Sequence, residues 1–256
     1  MNYPTWSDLS SESIIPPLGA RRVPDIGTVA VMVSCEPDMK LITAAAASNF
    51  VSVPFFNSAL ITSINRDKGI SVAGPFIGAP YSVMLLESLI ARGAKRIIMV
   101  GWCGAVTDKL NVGDILLPTS AIVDEGTSKD YKHLDTDVPV STPDMGLLEQ
   151  LSEHLISAGI THQKDRIWTT DAIYRETEKK VAFFRNLGAL AVEMECSALF
   201  SVAEYRKISI AGLLIVSDSV ASTTWDPGFR NKIFKQARKA ACEAILGFSK
   251  ILGANE

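Results

Sequence analysis

The strongest constraint in this sequence is an alternation. Short apolar runs rich in β-branched residues give way, repeatedly, to longer segments whose apolar residues return every three or four positions. Thr28–Val33, Arg96–Val100, Asp114–Ala121 and Ile208–Val216 are runs of the first kind and read as buried strands. Leu60–Ile64 and Gly69–Ala73 read as two more strands around an Asn65–Lys68 turn. Between them, the Ala-rich Asp38–Phe50 is helical, and Ser82–Arg92 places Val83, Leu86, Leu89 and Ile90 on one helical face before a stop at Gly93. In the second half, Met145–Gly159 is a helix with caps available in Ser141–Asp144. Glu176–Leu187, Val192–Tyr205 and Arg230–Leu252 are further helices, the last with Phe234, Ala237, Ala241, Ile245 and Phe248 spaced to cover a sheet. Strands alternating with helices predict an α/β three-layer sandwich with a central mixed, mostly parallel sheet.

Composition narrows the function classes. The 256 residues show no internal repeat and no linker-like shift, so a single domain over 1–256 is expected, with residues 1–22 an irregular, Pro-containing arm. A formal charge of −3 gives no basis for binding nucleic acid, which needs clustered Lys and Arg, nor for a polybasic membrane contact. A hydrophobic fraction of 47% excludes disorder. Ile97–Val106 and Ile210–Val216 are the longest apolar stretches, well short of the ~20 residues of a membrane helix. Met1–Ser13 has neither a basic nor an apolar region of a secretory signal, so a cytoplasmic chain is expected. Cys35, Cys103, Cys196 and Cys242 have no CxxC spacing, and His133, His154 and His162 are the only imidazoles. That leaves no zinc constellation and suggests reduced, buried thiols.

In parallel sheets ligands collect beyond the carboxyl ends of strands, here after Val33, Ala73, Val100 and Val216. Gly101–Ala105 (GWCGA) follows one strand and reads either as a tight turn or as a loop that brings backbone amides close to a ligand. Gly74–Pro80 (GPFIGAP) invites the same two readings. Neither has the spacing of a phosphate loop or a dinucleotide fingerprint. Glu193-Met194-Glu195 opens an otherwise apolar helical run. Capping of the helix N-terminus accounts for one carboxylate; the other suits a pair of vicinal hydroxyls, with Met194 an adaptable apolar neighbour. Asp218, at the exit of a buried strand, reads either as a turn cap or as an acid whose proton is held by partial desolvation.

Taken together, Gly78–Pro80, Val100–Val106, Val112–Asp114, Glu125–Ser128, Thr169–Ala172, Val192–Glu195 and Ser217–Asp218 resemble the nucleoside phosphorylase family of purine nucleoside phosphorylases, uridine phosphorylases and related nucleosidases. The resemblance runs from about Thr28 to the closing helix. It implies that Glu195 binds ribose hydroxyls with Met194 against the sugar, and that Asp218 protonates the departing purine with help from Arg230. It also implies that Trp102, Cys103 and Gly104 line the base and anion sites, with Ile173 and Tyr174 beside the base. Trp168, just before Thr169–Ala172, is counted with these as a substrate-binding residue; for Trp168 and Tyr174, residue type alone favours core packing. No organic cofactor or metal is implied, and phosphate enters only as co-substrate. The partners implied are a small-molecule nucleoside and further copies of the chain, as a hexamer or a dimer.

The departures concern the anion. Where the family places phosphate-binding arginines, this chain has Met39, Phe56 and Met99, and Trp102 replaces a hydroxyl ligand. Glu36 and Asp38 add negative charge nearby. Arg21, Arg22, Arg166 and Arg175 are the candidates to compensate. The Gln-x-Arg pair that reads uracil is absent. Phosphorolysis of a nucleoside, purine favoured, is therefore the leading expectation. Hydrolysis by water, with Glu193 the nearest base, is the alternative, and a non-catalytic nucleoside binder is the third reading.

Overall fold

The computed structural model of the chain describes residues 8–19, 26–45, 50–63, 69–222 and 224–254. Eleven strands form one mixed sheet. They are β1 (Val29–Val33), β2 (Phe50–Phe55), β3 (Ser58–Ser63), β4 (Ile70–Gly74), β5 (Arg96–Ala105), β6 (Ile115–Asp124), β7 (Val140–Ser141), β8 (Gln163–Thr170), β9 (Ala191–Glu193), β10 (Ser209–Ser219) and β11 (Asp226–Pro227). The helices are α1 (Glu36–Ala45), α2 (Ala79–Ala91), α3 (Met145–Ser157), α4 (Glu178–Asn186), α5 (Cys196–Arg206) and α6 (Lys232–Ala254).

At the centre β4, β1, β5 and β10 run parallel, and β8 pairs parallel with both β6 and β9. Antiparallel pairing is found in the β2–β3–β4 meander and where β6 and β11 meet β10. Strands covered on both faces are apolar at every position, and their two side-chain sets separate accordingly. Val29, Val31 and Val33, with Ile98, Val100, Leu213 and Ile215, pack against Ile42 of α1, Leu148 and Leu151 of α3, and Phe234 and Ile245 of α6. Ala30, Met32, Ile97, Met99, Leu214 and Val216 face Leu85, Leu86 and Leu89 of α2 and Leu199 and Phe200 of α5. The two clusters lie on opposite faces, which makes the layered sandwich.

The helix ends follow their sequence signals. Asp144 accepts the Leu147 N–H at the start of α3 (2.9 Å), and Thr177 caps α4. Several boundaries depart from expectation. The helix expected over 38–50 is described over Glu36–Ala45, residues 46–49 lie outside the described residues, and Phe50 already belongs to β2, a half-exposed strand. Gly101–Ala105 is the second half of β5 rather than a turn. Val192 begins no helix; it is strand, and α5 starts only at Cys196. The expected Asn65–Lys68 turn lies outside the described residues. Of the expected arm, residues 8–13 and 16–17 lie over α2 and α5, among Pro80, Val83 and Tyr205.

Candidate active site

The site arises because β5 is longer than its neighbour. β1 pairs with Arg96–Val100 and ends, while β9 joins β5 only at Gly104–Ala105. Along Gly101–Cys103 that edge of β5 is open, at the carboxyl ends of parallel strands. A cavity of about 510 Å³ occupies this gap. Its walls include Ser34 and Cys35 after β1, Phe76 and Ile77 before α2, Trp102–Gly104, Ile173, Tyr174 and Glu176, Val192–Glu195, Ser217–Asp218, and Trp225 and Phe229 after β10.

Gly104 is the hinge of this geometry. It pairs with Val192 on one side and Asp218 on the other. A Cβ there would lie 3.3 Å from the Asp218 carboxylate and in ordinary contact with Val192 at 3.5 Å, so a side chain would press on the carboxylate. A register shift between Val216 and Asp218 interrupts the β10 ladder, and such bulges re-aim side chains. Asp218 accepts hydrogen bonds from Ser217 Oγ (2.5 Å) and Trp225 Nε1 (2.8 Å).

The two glutamates after β9 have different tasks. Glu193 is consumed internally: its Oε2 accepts the backbone N–H groups of Glu195 (2.8 Å) and Cys196 (2.9 Å), and Oε1 accepts the Thr169 hydroxyl. It satisfies the donors at the start of α5, as one of the two sequence readings allows. Three of its acceptor positions are thereby taken by internal donors. Glu195, 5% exposed, accepts the Gly78 N–H at 2.6 Å. Gly78 holds φ at 82°, a region that favours glycine, and so aims its amide at this carboxyl. Burial and the neighbouring Glu193 charge push the Glu195 carboxyl up, to about 8.

Beside β1 the expected anion position is filled from within. Asp38, fully buried in the first turn of α1, accepts from Trp102 Nε1 (2.5 Å) and Arg238 Nε (2.6 Å). The Arg238 guanidinium sits 4.8 Å above the Trp102 ring, and Trp102 packs edge-on against Phe234 at 5.0 Å. Burial raises the Asp38 carboxyl, while the Arg238 charge and both hydrogen bonds hold it down. Met39 and Met99 are core residues, and Phe56 is exposed in the β2–β3 turn. Among the described residues the cavity wall contains four carboxyl groups and no Lys or Arg.

The cavity brings together Glu193, Met194, Glu195, Trp102, Cys103, Gly104, Ile173, Tyr174 and Asp218. Tyr174 stands at the mouth, 96% exposed, and not in the core. Two expectations need correction. Trp168 is fully buried, stacks on Phe184 at 4.2 Å and donates to Asp124; β8 turns it into the packing cluster behind the wall residue Val192, and it does not itself line the cavity. Arg230 lies exposed in the turn before α6, off the cavity wall, and Trp225 takes the place beside Asp218. Of the compensating arginines, Arg166 bonds Ser120 and the Leu187 carbonyl, Arg175 lies off the wall, and Arg21 and Arg22 lie outside the described residues. Sequence reasoning missed Glu176, Phe76, Ile77, Trp225, and the Asp38–Arg238 pair. Trp225, an aromatic in a polar turn after a strand end, carried a usable signal. Arg238, 200 positions from its partner, carried none. Among the described residues no group of three or more His, Cys, Asp or Glu could hold a metal.

Comparison with known proteins follows the same lines. The phosphorylase superfamily family model matches residues 28–250. A DeoD-type purine nucleoside phosphorylase of Colwellia psychrerythraea is 30% identical over 190 residues, covering 72% of this chain and 79% of its own. One of Caldanaerobacter subterraneus subsp. tengcongensis is 29% identical over 185 residues, 71% of this chain and 78% of that protein. Among solved structures, a purine nucleoside phosphorylase from Toxoplasma gondii in complex with immucillin-H superposes with a TM-score of 0.79 at 18% identity, covering 96% and 99% of the two chains. A uridine phosphorylase from Vibrio fischeri superposes at 0.74 with 22% identity, over 87% and 91%. At these identities the structural likeness speaks for the fold.

Proposed function

The chain belongs to the phosphorylase superfamily, and on that premise we propose that it cleaves the N-glycosidic bond of a nucleoside, with a purine as the favoured base. One observation carries the reading: Met194 and Glu195, from the β9–α5 junction, and Asp218, from β10, enter one cavity on either side of Gly104. Glu195 takes the sugar hydroxyls, with Met194 against the ring, and Glu193 positions Glu195 through the start of α5. Asp218 meets the base, beside Ile173 and Tyr174. Trp102, Cys103 and Gly104 form the wall beneath the sugar. As the C1′–N bond stretches, positive charge grows on the sugar, and a wall of carboxyl groups is preorganised to stabilise it.

The sugar passes to an acceptor at C1′. Phosphate is the acceptor that membership in the family supports. Water is the second reading, and a specific observation favours it. A phosphate dianion is held by charge-assisted donors, whereas Arg238, whose guanidinium lies 4.8 Å from the ring of the wall residue Trp102, is already paired with Asp38. The exposed Ile77, Ile173 and Tyr174 at the mouth suit a covering second copy of the chain, in keeping with the expected homo-oligomer. No helix among the described residues is long and apolar enough to cross a membrane.

The test is base release from a panel of purine and pyrimidine nucleosides, with and without phosphate, followed by chromatography. Release with ribose 1-phosphate as product supports phosphorolysis, and phosphate-independent release of ribose supports hydrolysis. Saturable binding without turnover would leave the binder and overturn the enzymatic reading.

A further inference from the structure

One carboxyl in the cavity wall has no task in this scheme. Glu176 follows the Ile173–Arg175 3-10 turn and precedes Thr177, the cap of α4. It lines the cavity together with Asp218. The two are held differently. Asp218 accepts from Ser217 and Trp225; the Glu176 carboxyl has no hydrogen-bond partner among the described residues. The charged groups acting on it are Asp218 from β10 and Lys180 from α4. Lys180 spends its ammonium on Asp124 at 2.7 Å. Across the cavity stand Glu193 and Glu195, which add no cation.

Like charges sharing one cavity do not both ionise freely; one member keeps a proton. We propose that Glu176 and Asp218 form a carboxyl pair that carries a single proton for the departing base, with Glu176 the member that stores it in the resting site. The proposal rests on the N-glycosidic reading above. As the C1′–N bond breaks, its electron pair goes to the base and the stored proton goes to a base ring nitrogen. The pair is left with both carboxylates charged, the acceptor oxygen bonds C1′, and solvent at the exposed mouth returns the proton. Burial and the Asp218 charge push Glu176 up to about 7, against the pull of Lys180, so the store fills as pH falls below neutral and empties above it.

The experiment compares wild type, Glu176→Gln and Asp218→Asn by calorimetry of adenine binding from pH 6 to 9, in buffers of differing ionisation enthalpy. The same variants are assayed for base release from a purine nucleoside, and their thermal melts check folding. In wild type, adenine binding takes up a proton above pH 7, and affinity falls about tenfold per pH unit once the store is empty, as a one-proton linkage requires. Glu176→Gln should abolish the uptake and flatten the profile while lowering kcat at least ~100-fold, the scale of general acid catalysis. Asp218→Asn, which removes the repulsion, should move the midpoint of proton uptake to lower pH. Proton uptake that survives in Glu176→Gln, or a midpoint unmoved in Asp218→Asn, overturns the pair. So does wild-type adenine binding without uptake, or no adenine binding at all. No base release by wild type from any nucleoside overturns the enzymatic reading instead, and the calorimetry still decides the pair.

Discussion

Replacing Arg238 by Met tests the internal pairing beside β1 most directly. Asp38 is 0% exposed and the Arg238 side chain 11%, so the substitution strands a carboxylate that water does not reach. Removing one partner of a buried ion pair costs about 3–5 kcal/mol. The Trp102 N–H remains as a donor to Asp38, which argues for the lower end, about 3 kcal/mol. The loss depends on pH with a definite sign. Burial already lifts the Asp38 carboxyl above its ordinary value, and Arg238 is the largest influence opposing that rise. Without Arg238 the folded-state pKa climbs further. Between the unfolded and folded values the native state then binds a proton that the unfolded chain has shed, so stability is retained at low pH and lost as pH rises through the folded value. The deficit relative to wild type should therefore be small near pH 4–5 and complete above the raised folded value. Urea unfolding followed by far-ultraviolet circular dichroism, at fixed protein concentration from pH 5 to 8, measures it. The double variant Asp38→Asn with Arg238→Met should recover more than half of the loss at pH 8, because no charge is left behind. A deficit below about 1 kcal/mol at pH 8, equal deficits at both ends of the range, or a double variant no better than the single one would refute this account, since an uncompensated buried charge cannot cost so little.

Glu195→Gln should weaken nucleosides far more than free bases in equilibrium titrations, and equal weakening of both would contradict the hydroxyl assignment. In wild type the affinity for nucleosides should rise with pH toward about 8 as Glu195 sheds its proton, because sugar hydroxyls donate to the carboxylate. Asp218→Asn should lower kcat on purine nucleosides by about 100- to 10,000-fold with binding nearly intact; turnover within a few-fold of wild type would remove it from the chemistry. Glu193→Ala should cost about 1–3 kcal/mol for each backbone donor it strands at the start of α5, with Glu193→Gln less harmful because an acceptor oxygen remains. Urea midpoints for the two variants check the order.

The layered core was legible because its strands are covered on both sides. Val29–Val33, Arg96–Val100 and Ser209–Val216 have no polar face, and a continuous apolar run of that length between helical segments has few other homes. Residues half in water were harder to read. β8 begins with Gln163-Lys164-Asp165-Arg166, a charged stretch that carries no strand pattern, and it is strand because β6 supplies the ladder. β2 is a sheet edge with Val51 exposed, and an edge strand half in water carries no continuous apolar run. The Gly101–Ala105 run looked like a turn by its glycines. Tertiary packing overrides that propensity: a side chain at Gly101 would meet Met99 and Ser34, and one at Gly104 would meet Asp218, so these glycines mark close approach within a strand.

The site divides along a similar line. Residues whose role is local, such as Glu195 after β9 or Asp218 at the end of β10, could be picked out because a carboxylate at the exit of an apolar run needs a reason. Charge at the anion position could not be judged by residue type, because the relevant quantity is the partner and not the side chain. Asp38 read as added negative charge beside the cavity, yet Arg238 and Trp102 neutralise and cover it. Arg238 in turn read as one more basic residue on an amphipathic helix. A guanidinium whose charge is matched by a buried carboxylate at 2.6 Å from its Nε offers a second anion little net positive charge, even with its terminal N–H groups not engaged by Asp38. The pairing therefore raises the energetic threshold for phosphate and leaves a water molecule unaffected, and a phosphate titration of base release reads that difference directly.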